Sequence, residues 1–190
     1  MARRSKLWIA IGLVLILGGA GLFLFSQLSA TNAEKEATRL VGVLDSLLPE
    51  RTTDTTEAVG EMPVLAVEGQ DMVALLEIPG CDLALPVGAL WDARGTTAYP
   101  RCFSGSAYDR NLVVGGSDRQ GQLDCLDTIG LGATVTVTDM TGLVFTYAVV
   151  SIEQSKSADA QVLENTDYDL TLFVRDTYSL KYTLVRCSAK

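Results

Sequence analysis

The chain contains no histidine, and its 190 residues carry 15 lysines and arginines against 23 aspartates and glutamates. Imidazole is the side chain that most readily exchanges a proton near neutral pH. Its absence removes histidine general bases, histidine metal ligands and every serine–histidine or cysteine–histidine nucleophile pair. The shortage of positive charge is sharper than the totals suggest, because Arg3, Arg4 and Lys6 precede a long apolar run and leave 12 basic residues for the rest of the chain. An acidic exterior of that kind repels a phosphate backbone and excludes nucleic acid as a partner. The four cysteines lack CxxC spacing, and without histidine they offer no zinc site. Neither a metal nor a cofactor is expected.

What the chain has in excess is apolar side chain, 48% of all residues, crowded toward the N-terminus. No charge falls between Leu7 and Ala33, and the 22 residues from Leu7 to Leu28 are almost unbroken Leu, Ile, Val, Phe, Ala and Gly. At about 1.5 Å per residue such a helix crosses a hydrocarbon core of about 30 Å. The sequence therefore predicts a basic cytoplasmic tail over 1–6 and a transmembrane helix over 7–29. With Arg3, Arg4 and Lys6 on one flank and Glu34 and Glu36 beyond the other, the positive-inside rule places the N-terminus in the cytoplasm and the remainder outside. A cleaved signal peptide is the rival, with small residues near Thr31, Asn32 and Ala33, but its apolar run would span only about 7 to 15 residues. The anchor is the reading adopted: a single-pass cell-membrane protein with an extracytoplasmic C-terminal domain.

Residues 30–62 read as a stalk helix followed by a linker. Ala33, Ala37, Leu40, Val41, Leu44, Leu47 and Leu48 recur at helical spacing, with Glu34, Lys35, Glu36 and Arg39 elsewhere around the turn. Pro49 ends that pattern, and the Thr/Glu/Asp-rich stretch to Met62 has little apolar side chain to bury. The helix could pair with a second copy or lie on its own domain; the simpler second arrangement is preferred. Over 63–190, short β-rich runs recur between turn signals at Met72–Ile78, Asp82–Val87, Asn111–Val114, Ala133–Asp139, Leu143–Ile152, Asp169–Arg175 and Leu180–Cys187. Regular spacing of this kind predicts an all-β barrel or sandwich. Helical patterns interrupt it around Gln122–Ile129 and Ala158–Glu164, and Met140, Thr141 and Gly142 make a hairpin turn.

Read in order, IPGCDLALPV (78–87), YPRCFSGSAYDRNLVVGG (99–116), GQLDCLDTIGLGATVTVTD (121–139) and DLTLFVRDTYSLKYTLVRC (169–187) together resemble a sortase. Sortases are membrane-anchored cysteine transpeptidases of Gram-positive bacteria that cleave sorting motifs and attach surface proteins to cell wall or pilus. The resemblance covers roughly 72–187 and rests on order and spacing rather than on one motif. It implies a mainly β fold, an eight-stranded sortase-like barrel with short helices.

The departures from the family pattern bear on activity. A strand of the NxVxxGH type ends in the family's histidine, whereas NLVVGG here runs into Ser117. The TLxTC motif reads TLFVR: Thr171 and Leu172 match, and Arg175 stands where the nucleophilic cysteine belongs. The arginine of the last strand falls near Tyr182. Serine is no proton shuttle near neutral pH, and a guanidinium stays protonated and cannot attack a carbonyl. The resemblance thus implies a pseudosortase, with Ser117, Arg175, Thr171, Leu172 and Tyr182 lining a cleft that binds a sorting-signal peptide, a pilin or an active sortase. The alternatives are an active transpeptidase or hydrolase that attaches surface proteins through noncanonical residues, and a structural surface domain.

Other groups are weighed more briefly. Cys81, Cys102, Cys125 and Cys187 allow two disulfides in three connectivities that sequence cannot rank; buried free thiols are the simpler reading. Asp118, Asp124 and Asp127 match no calcium loop and read as solvated surface, although related barrels bind calcium. Arg175 beside Asp176 suits a salt bridge or a ligand carboxylate. Trp91 and Tyr99 suit a groove or the core.

Overall fold

Alternation of apolar and polar side chains is the rule on which the chain folds. The computed structural model describes residues 35–54, 60–92, 98–119, 121–164, 167–176 and 179–190. The expected transmembrane helix at 7–29 and the tail at 1–6 lie outside them; among the described residues no helix is long and apolar enough to cross a membrane.

A helix, α1, occupies 35–47. Nine strands follow among the described residues: β1 (Leu65–Val67), β2 (Gln70–Ile78), β3 (Leu83–Gly88), β4 (Arg101–Ser104), β5 (Leu112–Ser117), β6 (Thr134–Asp139), β7 (Val144–Ser155), β8 (Leu170–Arg175) and β9 (Tyr182–Ala189). They hydrogen-bond in the order β1-β2-β3-β4-β5-β8-β9-β7-β6, and β6 returns to β2. Eight strands thus close a barrel, and β1 takes the part of the β2 edge that β6 leaves free, pairing Leu65 with Met72 while β6 pairs with Ala74 to Glu77. Closure leaves no long unpaired edge among the described residues. All neighbours are antiparallel except β3–β4 and β5–β8.

Inward residues repeat every second position. Leu112 and Val114, Val135 and Val137, Leu170, Leu172 and Val174, and Val185 and Cys187 form one buried cluster inside the barrel. Both expected helical patterns shrink: Asp124–Asp127 is a 3-10 turn and α2 is the single turn Ala160–Leu163. The expected hairpin joins β6 to β7, with Gly142 at φ 87° and its missing side chain leaving room for the Glu50 carbonyl, 2.9 Å from where a Cβ would sit.

Helix α1 lies on its own barrel. Leu40 and Leu44 are buried against Val67, Met72, Tyr99 and Met140, and the helix closes before Pro49. The chain beyond it is tied down by polar groups rather than by apolar burial: Thr52 donates to Gly142 and accepts from Val144, and Arg51 bridges Glu77 at 2.8 Å.

Candidate functional site

The sequence LVVGGS puts Leu112, Val114 and Gly116 on the inside of β5, and so Val113, Gly115 and Ser117 on the outside. The parallel partner β8 and the antiparallel β9 alternate in step. The register pairs Ser117 with Arg175 and Arg175 with Tyr182. Three strands therefore bring Ser117, Arg175 and Tyr182, separated by up to 65 positions in the sequence, into one row at one end of the barrel's outer face. Arg175 is exposed; Ser117 and Tyr182 are partly covered.

Thr171 and Leu172 do not join the row's open end. Leu172 is fully buried and points into the barrel, because it lies an odd number of residues from Arg175 on a period-two strand. Thr171 is on the outer face but 2% exposed, its hydroxyl accepting from Arg186 at 2.9 Å.

Arg186 is the residue that sequence reasoning passed over. Its side chain is buried, its Nη1 donates to the Leu163 carbonyl at 3.0 Å and its Nη2 to the Val162 carbonyl at 2.6 Å. Glu153 lies 3.7 Å from its Nε. Asp159 caps α2 by accepting from the Val162 N–H. The guanidinium thereby clamps the C-terminal carbonyls of α2 onto the sheet, and Leu163 packs on Val113, Phe173 and Leu184 to make a wall beside the row.

The middle of the outer face is filled by aromatic rings. Phe173 lies 5.2 Å from Trp91 and 5.7 Å from Phe103, centroid to centroid, and Trp91 lies 5.6 Å from Phe103. Gly115 is required beneath them: a Cβ there would come within 2.3 Å of Phe173 and 2.5 Å of Trp91. Trp91 is thus a surface ring, and Tyr99 belongs instead to the cluster under α1, donating to Gln70 at 3.0 Å. Among the described residues, a cavity of about 20 Å³ beside Ser117 is lined by Trp91, Asp92, Arg101, Gly115 to Ser117 and Gln122. That holds about one water. A larger cavity of about 410 Å³ opens elsewhere, between Thr53, Tyr108, Arg110, Phe145, Tyr147 and Lys190.

The loop after β5 frames the row from above. Gln122 accepts from the Ser117 N–H at 3.3 Å, Leu123 donates to the Ser117 carbonyl, and Asp127 accepts from Thr183 at 2.9 Å. Asp127 is exposed, as expected of solvated surface, and from there it ties the loop to β9. Asp176 caps the turn before β9 by accepting from the Ser179 N–H and hydroxyl.

None of the four cysteines reaches the row. Cys187 is buried in the barrel, and Cys81, Cys102 and Cys125 pack against the same interior cluster. Burial pushes the Cys102 thiol up, raises Cys187 to about 12, and with the neighbouring Cys81 raises Cys125 further. These three remain thiols at neutral pH, so they are poor nucleophiles. The row offers a hydroxyl, a guanidinium and a phenol, which together suit hydrogen bonding and anion recognition.

Comparison of the sequence with family models finds no match, and no curated protein matches it. Solved structures do. Sortase C1 from Streptococcus agalactiae is 19% identical with a TM-score of 0.54, over 66% of this chain and 71% of that one. Listeria monocytogenes sortase A is 17% identical with a TM-score of 0.53, over 63% and 87%. Clostridium perfringens sortase C, solved with the C-terminal cell wall sorting motif, is 16% identical with a TM-score of 0.53, over 85% and 88%.

Proposed function

From the sortase fold that these structures share with the chain, we propose that it is a membrane-anchored, extracytoplasmic pseudosortase that holds an extended sorting-signal peptide, free or as part of a pilin or other surface protein, without cleaving it. The observation that carries this reading is the row Ser117–Arg175–Tyr182: it occupies the end of β5, β8 and β9 where the resemblance puts the family's histidine, cysteine and arginine, and it contains no thiol and no imidazole. A peptide laid along β8 meets the exposed guanidinium of Arg175 for a carboxylate and the edge of Trp91 for an apolar side chain. The filling of the outer face by Trp91, Phe103 and Phe173 favours a second reading, a structural surface domain.

Incubating the full chain in detergent with a library of sorting-motif peptides and an amine acceptor separates the readings by mass spectrometry. Retained, uncleaved peptide, lost in Arg175→Ala, is the expected result. A covalent adduct on any residue overturns the non-catalytic reading. Neither retention nor cleavage overturns the peptide reading and leaves the structural one.

A further inference from the structure

The cavity of about 410 Å³ lies at the far end of β9 from the row: Ala189, which ends that strand, lines the cavity, whereas Tyr182, which begins it, stands in the row. Its volume falls within the range of sites that take small organic molecules, about 300–1,000 Å³. Two cations and a pair of rings line it. The Arg110 backbone N–H donates to the Ala107 carbonyl, and its Nε and Nη2 both bond Asp169, at 2.8 and 3.1 Å. Asp169 also accepts from the Ala189 N–H at 2.7 Å, so its charge is answered, while Arg110 Nη1 has no partner among the described residues. The Lys190 backbone N–H donates to the Thr146 carbonyl, and its ammonium donates to the Thr134 hydroxyl at 2.7 Å. No ion pair of Lys190 forms among the described residues, and two of its three ammonium N–H groups are left over. The Tyr108 and Phe145 rings stand 5.7 Å apart, centroid to centroid, inclined at 40°. Tyr108 is held by donating to the buried Asp139. On a chain of net charge −8, this cavity therefore gathers spare positive charge beside an aromatic wall, and the carboxylates those groups touch are already satisfied.

We propose that the cavity binds an aromatic carboxylate, with its ring against Tyr108 and Phe145 and its anionic group on Arg110 Nη1 and the Lys190 ammonium. A carboxylate takes charge-assisted bonds from both cations, and a ring gains edge or offset contacts with the two aromatic side chains beyond the area it buries. An inorganic anion would use the cations and leave the rings open; a neutral aromatic molecule would do the reverse. The site is built in advance, because Asp169 fixes the guanidinium and Asp139 fixes the Tyr108 phenol before any ligand arrives. Groups held in this way lose little freedom on binding. Two sources offer the chemistry: a free aromatic acid, and the C-terminal residue of a peptide that ends in Phe, Tyr or Trp. The inference does not depend on peptide binding at the row.

The test is titration calorimetry of the full chain in detergent against two acids, each blanked against detergent alone. N-acetylphenylalanine stands for a peptide C-terminus and 3-phenylpropionate for a free acid. The expected result is saturable binding at a single site, weakened about tenfold in Arg110→Gln, in Lys190→Ala, and when the neutral N-acetylphenylalaninamide replaces the acid. Phe145→Leu should weaken the same acid by a smaller factor, since it removes the ring and keeps an apolar side chain. Equal binding of both acids assigns the site to free acids as well as chain ends; binding of N-acetylphenylalanine alone assigns it to chain ends. Lys190→Ala alters an exposed residue, so the test stands even where Arg110→Gln does not fold. Arg175→Ala should bind as the parent does, and loss of binding there would place the acid at the row and overturn the proposal. Absence of saturable binding by either acid, an amide that binds as tightly as its acid, or unchanged affinity in Lys190→Ala and folded Arg110→Gln would overturn it as well.

Discussion

At the end of the barrel where β6 turns into β7, Asp139 is completely buried and accepts from the Thr141 and Leu143 N–H groups at 2.8 and 2.9 Å, from the Thr141 hydroxyl and from Tyr108. Close by, Asp169 receives both prongs of Arg110 and the Ala189 N–H. At the opposite end Arg175 stands exposed, without an ion-pair partner among the described residues, beside the partly covered Ser117 and Tyr182. One end answers its charges and locks a turn; the other presents them. Fully satisfied polar networks rigidify a fold, whereas exposed polar groups on a rigid frame are available to a ligand.

Breaking the locked end should cost most. Asp139→Ala leaves two backbone N–H groups and a phenol without an acceptor, and urea unfolding should register a loss of about 3–5 kcal/mol. Burial, and after it the same carboxylate, pushes the Tyr108 phenol up to about 12, so its ionisation in an ultraviolet titration should move part of the way back toward the ordinary range in Asp139→Ala. An unmoved phenol would show that Asp139 does not govern it. Arg186→Met should cost less, about 2–4 kcal/mol, because the new side chain fills the space but abandons the Val162 and Leu163 carbonyls. Proteolysis within 156–164 should rise in parallel. A variant as stable as the parent would mean that the wall beside the row stands without its clamp.

Gly115→Ala probes the boundary between the two ends. The added methyl strikes Phe173 and Trp91, so about 1–3 kcal/mol should be lost, and Trp91 emission, read in a Trp8→Phe background, should shift to the red as the ring is displaced. Acid sharpens the comparison from the other side. The Arg110 guanidinium holds Asp169 below its ordinary range, aided by the Ala189 N–H, so the native state releases this proton more readily than the unfolded chain. The resulting stability is complete above about pH 4 and disappears as pH falls through the lower native value. Asp169→Asn should flatten stability in that window, and an unchanged acid slope would remove Asp169 from the lock.

The strands that alternate over six or more residues were legible in the sequence, and so was the hairpin at Gly142, because inward Val and Leu positions and a turn glycine are local signals. Strands β1 and β4 were not: LAV and RCFS are three and four residues long, and all four positions of β4 are partly buried, so no period shows. The row was legible only through the resemblance, since register between distant strands is a long-range property. Arg186 looked like one charge in an otherwise apolar strand. Its work depends on the carbonyls of a one-turn helix more than twenty positions away. The ring cluster draws Trp91, Phe103 and Phe173 from three separated segments, which no local pattern joins.

The smallest effect on stability is the most informative about function. Arg175 is exposed at a strand end and makes no ion pair among the described residues, so Arg175→Ala should change unfolding free energy by no more than about 0.5 kcal/mol. If the row holds a peptide, the same substitution should weaken a carboxylate-bearing ligand by about ten- to a hundredfold, since a charge-assisted contact contributes about 1.5–3 kcal/mol when formed. Arg175→Lys should recover only part of that, keeping the charge but not the planar fork that pairs with a carboxylate through two bonds. Titration calorimetry with the three proteins reads this series. A peptide bound equally well by all three would move recognition off the row and onto the aromatic face. Loss of stability in Arg175→Ala would instead make the row another lock, and the contrast between the two ends of the barrel would disappear.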